Sequence, residues 1–234
     1  MTETAAGLDP TRTLGELVIE QPGRSRVFED FGIDYCCHGQ RSLADACREA
    51  GIDEGAVLGQ LDAVTETEVS DIDAFATAEL AEHIVETHHA YLHSELVPLQ
   101  ALADKVHSVH GGRHPELADV ARLVAEARLE LEPHLEREEQ VVFPAIEALD
   151  TGEVVAPGIA EQIHRLLREH RSLGELLLNL RSVSGDYAVP ADACASYTML
   201  YGRLEHLERD TFRHIHLENN VLFPAAGVTE TAPA

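Results

Sequence analysis

The chain has 234 residues and a hydrophobic content of 44%, enough for one large domain or for a small and a medium one with packed cores. Its formal net charge of −25 argues against nucleic acid or anionic membrane as a partner, because both repel so acidic a surface. No window nears eighteen consecutive apolar residues, and Met1–Pro10 carries Glu3 and Asp9 where a secretion signal would be basic and then apolar, so a cytoplasmic location is expected.

Residues 11–66 read as a small helical unit. Leu14, Leu17 and Val18 mark a short helix broken by Pro22-Gly23, and Val27, Phe28 and Phe31 mark a second closed by Gly32. Asp34-Tyr-Cys-Cys-His-Gly39 follows, then an alanine-rich helix over 42–50 stopped by Gly51, and a last helix carrying Val57, Leu58, Leu61 and Val64. A unit this short is too small for a deep core. The chain has four cysteines, Cys36, Cys37, Cys47 and Cys194. The first two are adjacent, which makes a structural bridge between them awkward, so free thiols are expected.

The acidic stretch Thr65–Asp73 reads as a linker. Beyond it, residues 74–226 hold four long helical candidates, near 74–109, 115–149, 158–183 and 191–224, separated by Gly111-Gly112, Asp150-Thr-Gly152 and Ser184-Gly-Asp186. Strand-like alternation is absent. The expected fold is all-α, an up-down four-helix bundle preceded by the small helical unit.

Two segments of the bundle repeat one another. His134-Leu-Glu-Arg-Glu138 followed by Phe143-Pro144 matches His214-Ile-His-Leu-Glu218 followed by Phe223-Pro224, eighty residues on. A further histidine precedes each copy: His89 lies 45 residues before His134, and His170 lies 44 before His214. The pattern is a duplicated helical hairpin with one histidine on its first helix and His-x-x-x-Glu on its second. Positions i and i+4 share a helix face, with Cβ atoms roughly 6 Å apart, so an imidazole and a carboxylate at that spacing reach one point beside the helix. Two such helices and two more histidines converge on one site. Four imidazoles and two bridging carboxylates suit a pair of metal ions with room for an exogenous ligand.

Imidazole and carboxylate donors fit iron, manganese or zinc, and the missing thiolates disfavour copper(I) or a structural zinc. A bridged pair points to redox-active iron first and manganese second. Burying two glutamates without a cation costs several kcal/mol each, which favours ligands over satisfied core residues. On a plain helical wheel His88 lies nearer than His89 to the centre of the stripe set by Leu80, Ile84, Leu92 and Leu102, and hairpin spacing does not separate the two. Of the adjacent acids on the second helix, Glu138 stands at i+4 from His134 and Glu139 points elsewhere. His83, His93, His107, His110 and His164 read as surface residues or as neighbours of the ligands. Pro133, inside a helix, is expected to bend it.

Together with Lys105-Val-His-Ser-Val-His110 and Arg168-Glu-His170, the Asp34–Gly39 segment, His134–Pro144 and His214–Pro224 closely resemble the RIC proteins (repair of iron centres) over nearly the whole chain. These are di-iron proteins with an ScdA-type N-terminal domain and a hemerythrin-like bundle. The resemblance implies metal ligands at His89, His134, Glu138, His170, His214 and Glu218, with the Lys105-Val register favouring His89 over His88. It implies channel-lining acids near Glu130 and Glu169. The segment after the paired cysteines often reads Gly-Gly in the family and is His38-Gly39 here, either a neutral change or an imidazole beside two thiols.

By the same resemblance the function is restoration of iron–sulfur clusters damaged by nitric oxide or oxidants, with two oxo- or carboxylate-bridged non-haem irons as cofactor. The implied partners are damaged iron–sulfur proteins and small ligands such as NO or O2; a homodimer stays open. Cys36 and Cys37 are candidates to accept iron or reduce a disulfide. Two other functions compete: a di-iron oxidoreductase acting on nitric oxide or peroxide, and dioxygen binding or sensing as in hemerythrin. Oxygen-carrying hemerythrins use five histidines, so a fifth ligand from His88 or His93 would favour the last.

Overall fold

The computed structural model describes residues 8–65, 75–151 and 158–229; the linker read at Thr65–Asp73 lies outside them from residue 66 onward. Among the described residues every regular element is helical, and Thr13 and Ser42 form an isolated antiparallel bridge. None of these helices is long and apolar enough to cross a membrane.

The N-terminal unit comprises α1 (Leu14–Glu20), α2 (Arg24–Phe31), α3 (Leu43–Ala50) and α4 (Glu54–Ala63). Thr13 and Glu16 start α1 with a reciprocal capping box, and the Ser42 side chain accepts from the Asp45 amide at the start of α3. Gly32 and Gly51 end α2 and α3 in the left-handed conformation that a side chain would disfavour.

The bundle follows as α5 (Thr77–Ile84) and α6 (Ala90–His110), α7 (Glu116–Arg137) and α8 (Phe143–Asp150), α9 (Ile159–Val183), then α10 (Ala195–Leu217) and α11 (Phe223–Ala225). Long helices α6, α7, α9 and α10 pack as a ring, α6 against α7 and α10, and α9 against the same two. Three junctions are single π-helical turns, at Val85–His89, Glu138–Val142 and Glu218–Leu222. The last two have a cause in the sequence. Pro144 and Pro224 have no amide hydrogen to continue the α-helical ladder, and the preceding Phe143 and Phe223 amides reach back five residues to the Glu138 and Glu218 carbonyls. Pro133, expected to bend α7, sits inside that helix without interrupting it.

Among the described residues the N-terminal unit shares one core with the bundle. Leu14, Leu17, Phe28, Tyr35, Leu43 and Leu61 belong to the same buried cluster as Leu92, Leu99, Leu131, Leu177 and Leu204 of the bundle. Asn220 of the third π turn donates to the Tyr35 and Cys36 carbonyls, and the Tyr35 ring lies 5.5 Å from that of His216. A second apolar cluster, with Ile84, Phe143, Ile146, Leu166 and Phe223, occupies the other side of the π turns.

Candidate metal centre

Between these two apolar clusters lies a buried polar one. His89 ends the first π turn, Glu138 and Glu218 open the other two, His134 and His214 lie one helical turn earlier on α7 and α10, and His170 sits mid-way along α9. His89, His170, Glu138 and Glu218 have no exposed surface, and His134 and His214 almost none.

The six side chains fall into two sets of four that share both carboxylates. In one set, His89 Nε2 lies 3.0 Å from His214 Nε2 and 3.5 Å from Glu138 Oε2, and His214 Nε2 lies 3.0 Å from Glu218 Oε1. In the other, His134 Nε2 lies 3.0 Å from His170 Nε2 and 3.0 Å from Glu138 Oε1, and His170 Nε2 lies 3.1 Å from Glu218 Oε2. Each glutamate therefore offers one oxygen to each set. Donor atoms about 3 Å apart are spaced as the edges of a coordination polyhedron whose bonds measure about 2.1 Å.

The repeat also organises the surroundings. Glu139, the residue after Glu138, accepts from His89 Nδ1 at 2.9 Å, and Asn219, the residue after Glu218, accepts through Oδ1 from His170 Nδ1 at 2.7 Å. Phe143 stacks on His89 and Phe223 on His170, with ring centroids 5.5 and 6.1 Å apart. The residues preceding the single histidines serve the opposite copy: Glu169 accepts from His134 Nδ1 at 3.0 Å, and His88 stacks on His214. His88 itself bonds Asp210, so of the two neighbours it is His89 that enters the cluster. Glu139, expected to point elsewhere, reaches it across helices.

These hydrogen bonds test whether a cation fits. With Nδ1 protonated and donating in His89, His134 and His170, each Nε2 presents a lone pair to the centre. His134 and His170 then face each other with two lone pairs 3.0 Å apart, beside carboxylates. Both oxygens of Glu138 and Oε2 of Glu218 are buried without a hydrogen-bond donor. Lone pairs and carboxylate oxygens converge on two points, which is the donor set of a metal pair and an arrangement a core would otherwise avoid. Burial opposes ionisation of Glu138 and Glu218, yet His134 beside the first and His214 and His170 beside the second hold both carboxyls below their ordinary range. Burial likewise disfavours charge on His134, but Glu138 and Glu169 raise its pKa to about 9, so that without a metal ion a proton takes the cation's place on this ring.

A protein-family profile described as "Hemerythrin HHE cation binding domain" matches residues 80–226, and one described as "Domain of Unknown function (DUF542)", ScdA_N, matches residues 10–65. The iron-sulfur cluster repair protein ScdA of Staphylococcus haemolyticus (strain JCSC1435) is 30% identical over 212 residues, covering 90% of this chain and 95% of the relative. The chain belongs to the RIC family. Another relative, the iron-sulfur cluster repair protein YtfE of Enterobacter sp. (strain 638), is 32% identical over 214 residues, covering 91% of this chain and 95% of the relative. The RIC bundle is thus a cation-binding one, in keeping with the two His/Glu sets.

Glu130 and Glu169 line one surface pocket of about 260 Å³ together with His134, Arg137 and Arg165. Cys36 and Cys37 are buried free thiols whose sulfurs lie 3.8 Å apart, and both backbone amides donate to Asp34. Contact with Cys37 and burial push the Cys36 thiol well above its ordinary range. His38 bonds Asp34 at 2.7 Å. His93 is half exposed and bonds Glu139. His110 is neither at the surface nor beside the cluster; it is buried near the start of α10, against Tyr197 and Cys194.

Proposed function

We propose that this chain repairs iron–sulfur clusters by supplying iron from a di-iron centre, one ion held by His89 and His214, the other by His134 and His170, with Glu138 and Glu218 bridging. The observation that carries this reading is the sharing of both buried carboxylates between two pairs of imidazole lone pairs. Relatives named for cluster repair over nearly the whole chain supply the substrate class.

Iron bound there would supply a redox-active, exchangeable cation. The protein's own contribution is positioning and access. Glu139, Glu169 and Asn219 hold three rings in the tautomer that presents Nε2 inward. Glu169, held by Arg137 and Arg165, stands with Glu130 in the pocket beside His134, where two carboxylates and two guanidiniums line the approach to the centre. The N-terminal unit reaches the centre through the Cys36 carbonyl, which accepts from Asn219. Once deprotonated, Cys36 and Cys37 would accept iron there, or give an electron pair to a disulfide and become oxidised themselves.

The test is anaerobic loading with ferrous iron, metal analysis and Mössbauer spectroscopy, then incubation with a peroxide-damaged iron–sulfur dehydratase. Reactivation with matching loss of iron from the chain is expected. A folded chain that retains no transition metal after anaerobic reconstitution would overturn the reading. Consumption of nitric oxide or peroxide over many turnovers without iron loss would favour the oxidoreductase instead. Replacing Cys36 and Cys37 by serine separates the thiol role, which unchanged repair would discard. Dioxygen carriage has less support, because neither His88 nor His93 belongs to the two His/Glu sets.

A further inference from the structure

At the other end of the bundle, Cys194 caps the 23-residue helix α10. Twenty residues separate it from His214, about 30 Å at the helical rise, so the site is independent of the metal centre. Cys194 is exposed, whereas Cys36, Cys37 and Cys47 are buried. Its Sγ lies 3.1 Å from Nε2 of His110, the last residue of α6. His110 is 6% exposed, and its Nδ1 is buried without a hydrogen-bond partner. The ring is held by Tyr197, 5.5 Å away, and His114, 6.5 Å away. A nucleophile in hydrogen-bond contact with a base that is itself packed in place is the arrangement of an activated thiol.

We propose that Cys194 and His110 form a thiolate–imidazole pair that exchanges with small disulfides, making the chain reversibly thiolated at this position. The Cys194 thiolate, accepting from His110 Nε2–H, attacks one sulfur of the small disulfide. A new S–S bond forms, the original one breaks, and the departing thiolate takes up a proton from His110 or water. Cys194 is oxidised to the disulfide level, and half of the small disulfide leaves as a reduced thiol. Free thiol in excess reverses the step.

The charged surroundings agree. The Tyr197 and Ser196 amides at the helix start, with Lys105 on α6, hold the Cys194 thiol below its ordinary range. Burial instead pushes Cys47 up. Asp192, the carboxylate nearest in sequence, is taken up by His114 at 3.1 Å and Arg113 at 3.4 Å, and Glu116 by His114 and Tyr197.

The experiment measures iodoacetamide alkylation of each cysteine in the full chain against pH, by peptide mass spectrometry, and repeats it with oxidised glutathione as the disulfide. Cys194 should titrate with a midpoint at least one unit below the ordinary cysteine value of about 8.5. His110→Gln should raise that midpoint and slow reaction at pH 7 roughly tenfold, the change in thiolate fraction for one pKa unit, while leaving the rate at pH 10 unchanged. Oxidised glutathione should add once, at Cys194, and dithiothreitol should remove it. A midpoint at or above 8.5 overturns the proposal from the unsubstituted chain alone, even if the variant does not fold. A low midpoint that His110→Gln leaves in place overturns the pair, and glutathione on another cysteine overturns the assignment of the site.

Discussion

His170 donates from Nδ1 to Asn219 Oδ1 at 2.7 Å, and the same amide donates from Nδ2 to the Cys36 carbonyl at 3.2 Å. One side chain thus joins a candidate ligand on α9 to the paired cysteines of the N-terminal unit. Orienting groups of this kind typically contribute 10–100-fold to metal affinity. Asn219→Ala is therefore expected to weaken the His134/His170 position by about that factor and to leave the His89/His214 position nearly unchanged. Chelator competition followed metal by metal would show two unequal affinities; two equal ones would count against the asymmetry.

Stripping the metal should lower thermal stability. A ligand at a hundred times its Kd stabilises the folded state by about 2.7 kcal/mol, which for a chain of this size is ~5–10 °C in Tm. Glu138→Gln removes one shared carboxylate, and the difference between loaded and stripped protein should shrink towards zero. Scanning calorimetry of the four preparations checks this. An undiminished difference in the variant would remove Glu138 from the site.

Asp34 gives an acid-dependent prediction. Burial opposes its charge, but the His38 ring and the Cys37 amide hold its carboxyl below the ordinary range. A depressed carboxyl contributes stability above its unfolded pKa, about 3.9, and loses it as pH falls through the lower folded value. Asp34→Asn should thus cost about 1.5–3 kcal/mol at pH 7, and the cost should fade below pH 4. Urea denaturation at pH 7, 5 and 3 measures the trend, and a cost that does not change with pH would contradict it.

Gly39 is required for close approach rather than for backbone freedom. A Cβ there would stand 2.1 Å from Asn220 Oδ1 and 2.7 Å from Nδ2. Gly39→Ala must push this amide away, breaking its bonds to the Tyr35 and Cys36 carbonyls. The N-terminal unit should loosen from the bundle, and alkylation of Cys36 and Cys37 should accelerate at least tenfold, with metal content unchanged. Labelling rates equal to those of the unsubstituted chain would show that the contact does not hold the unit down.

Much of the site is legible because the chain says it twice. The duplicated His-x-x-x-Glu-x4-Phe-Pro segments and the single histidines ahead of them name five of the six clustered residues, and the family register chooses the sixth. The same register holds a signal that wheel geometry hides: the residue after each glutamate, Glu139 or Asn219, orients the lone histidine of its own hairpin. The wheel misses it because it assumes an unbroken α-helix and describes one helix at a time.

The 3.6-residue periodicity and the breaks at glycine are enough to establish four long helices, since an apolar stripe must find a partner. The choice of His89 over His88 is different in kind. A π turn over Val85–His89 adds a residue to the helical turn and rotates the residues beyond it, so it is folding that brings His89 inward and sends His88 to Asp210. The pairing of histidines also belongs to the fold, because each set draws one imidazole from each hairpin. That outcome depends on how four helices pack, and no spacing along a single chain records it.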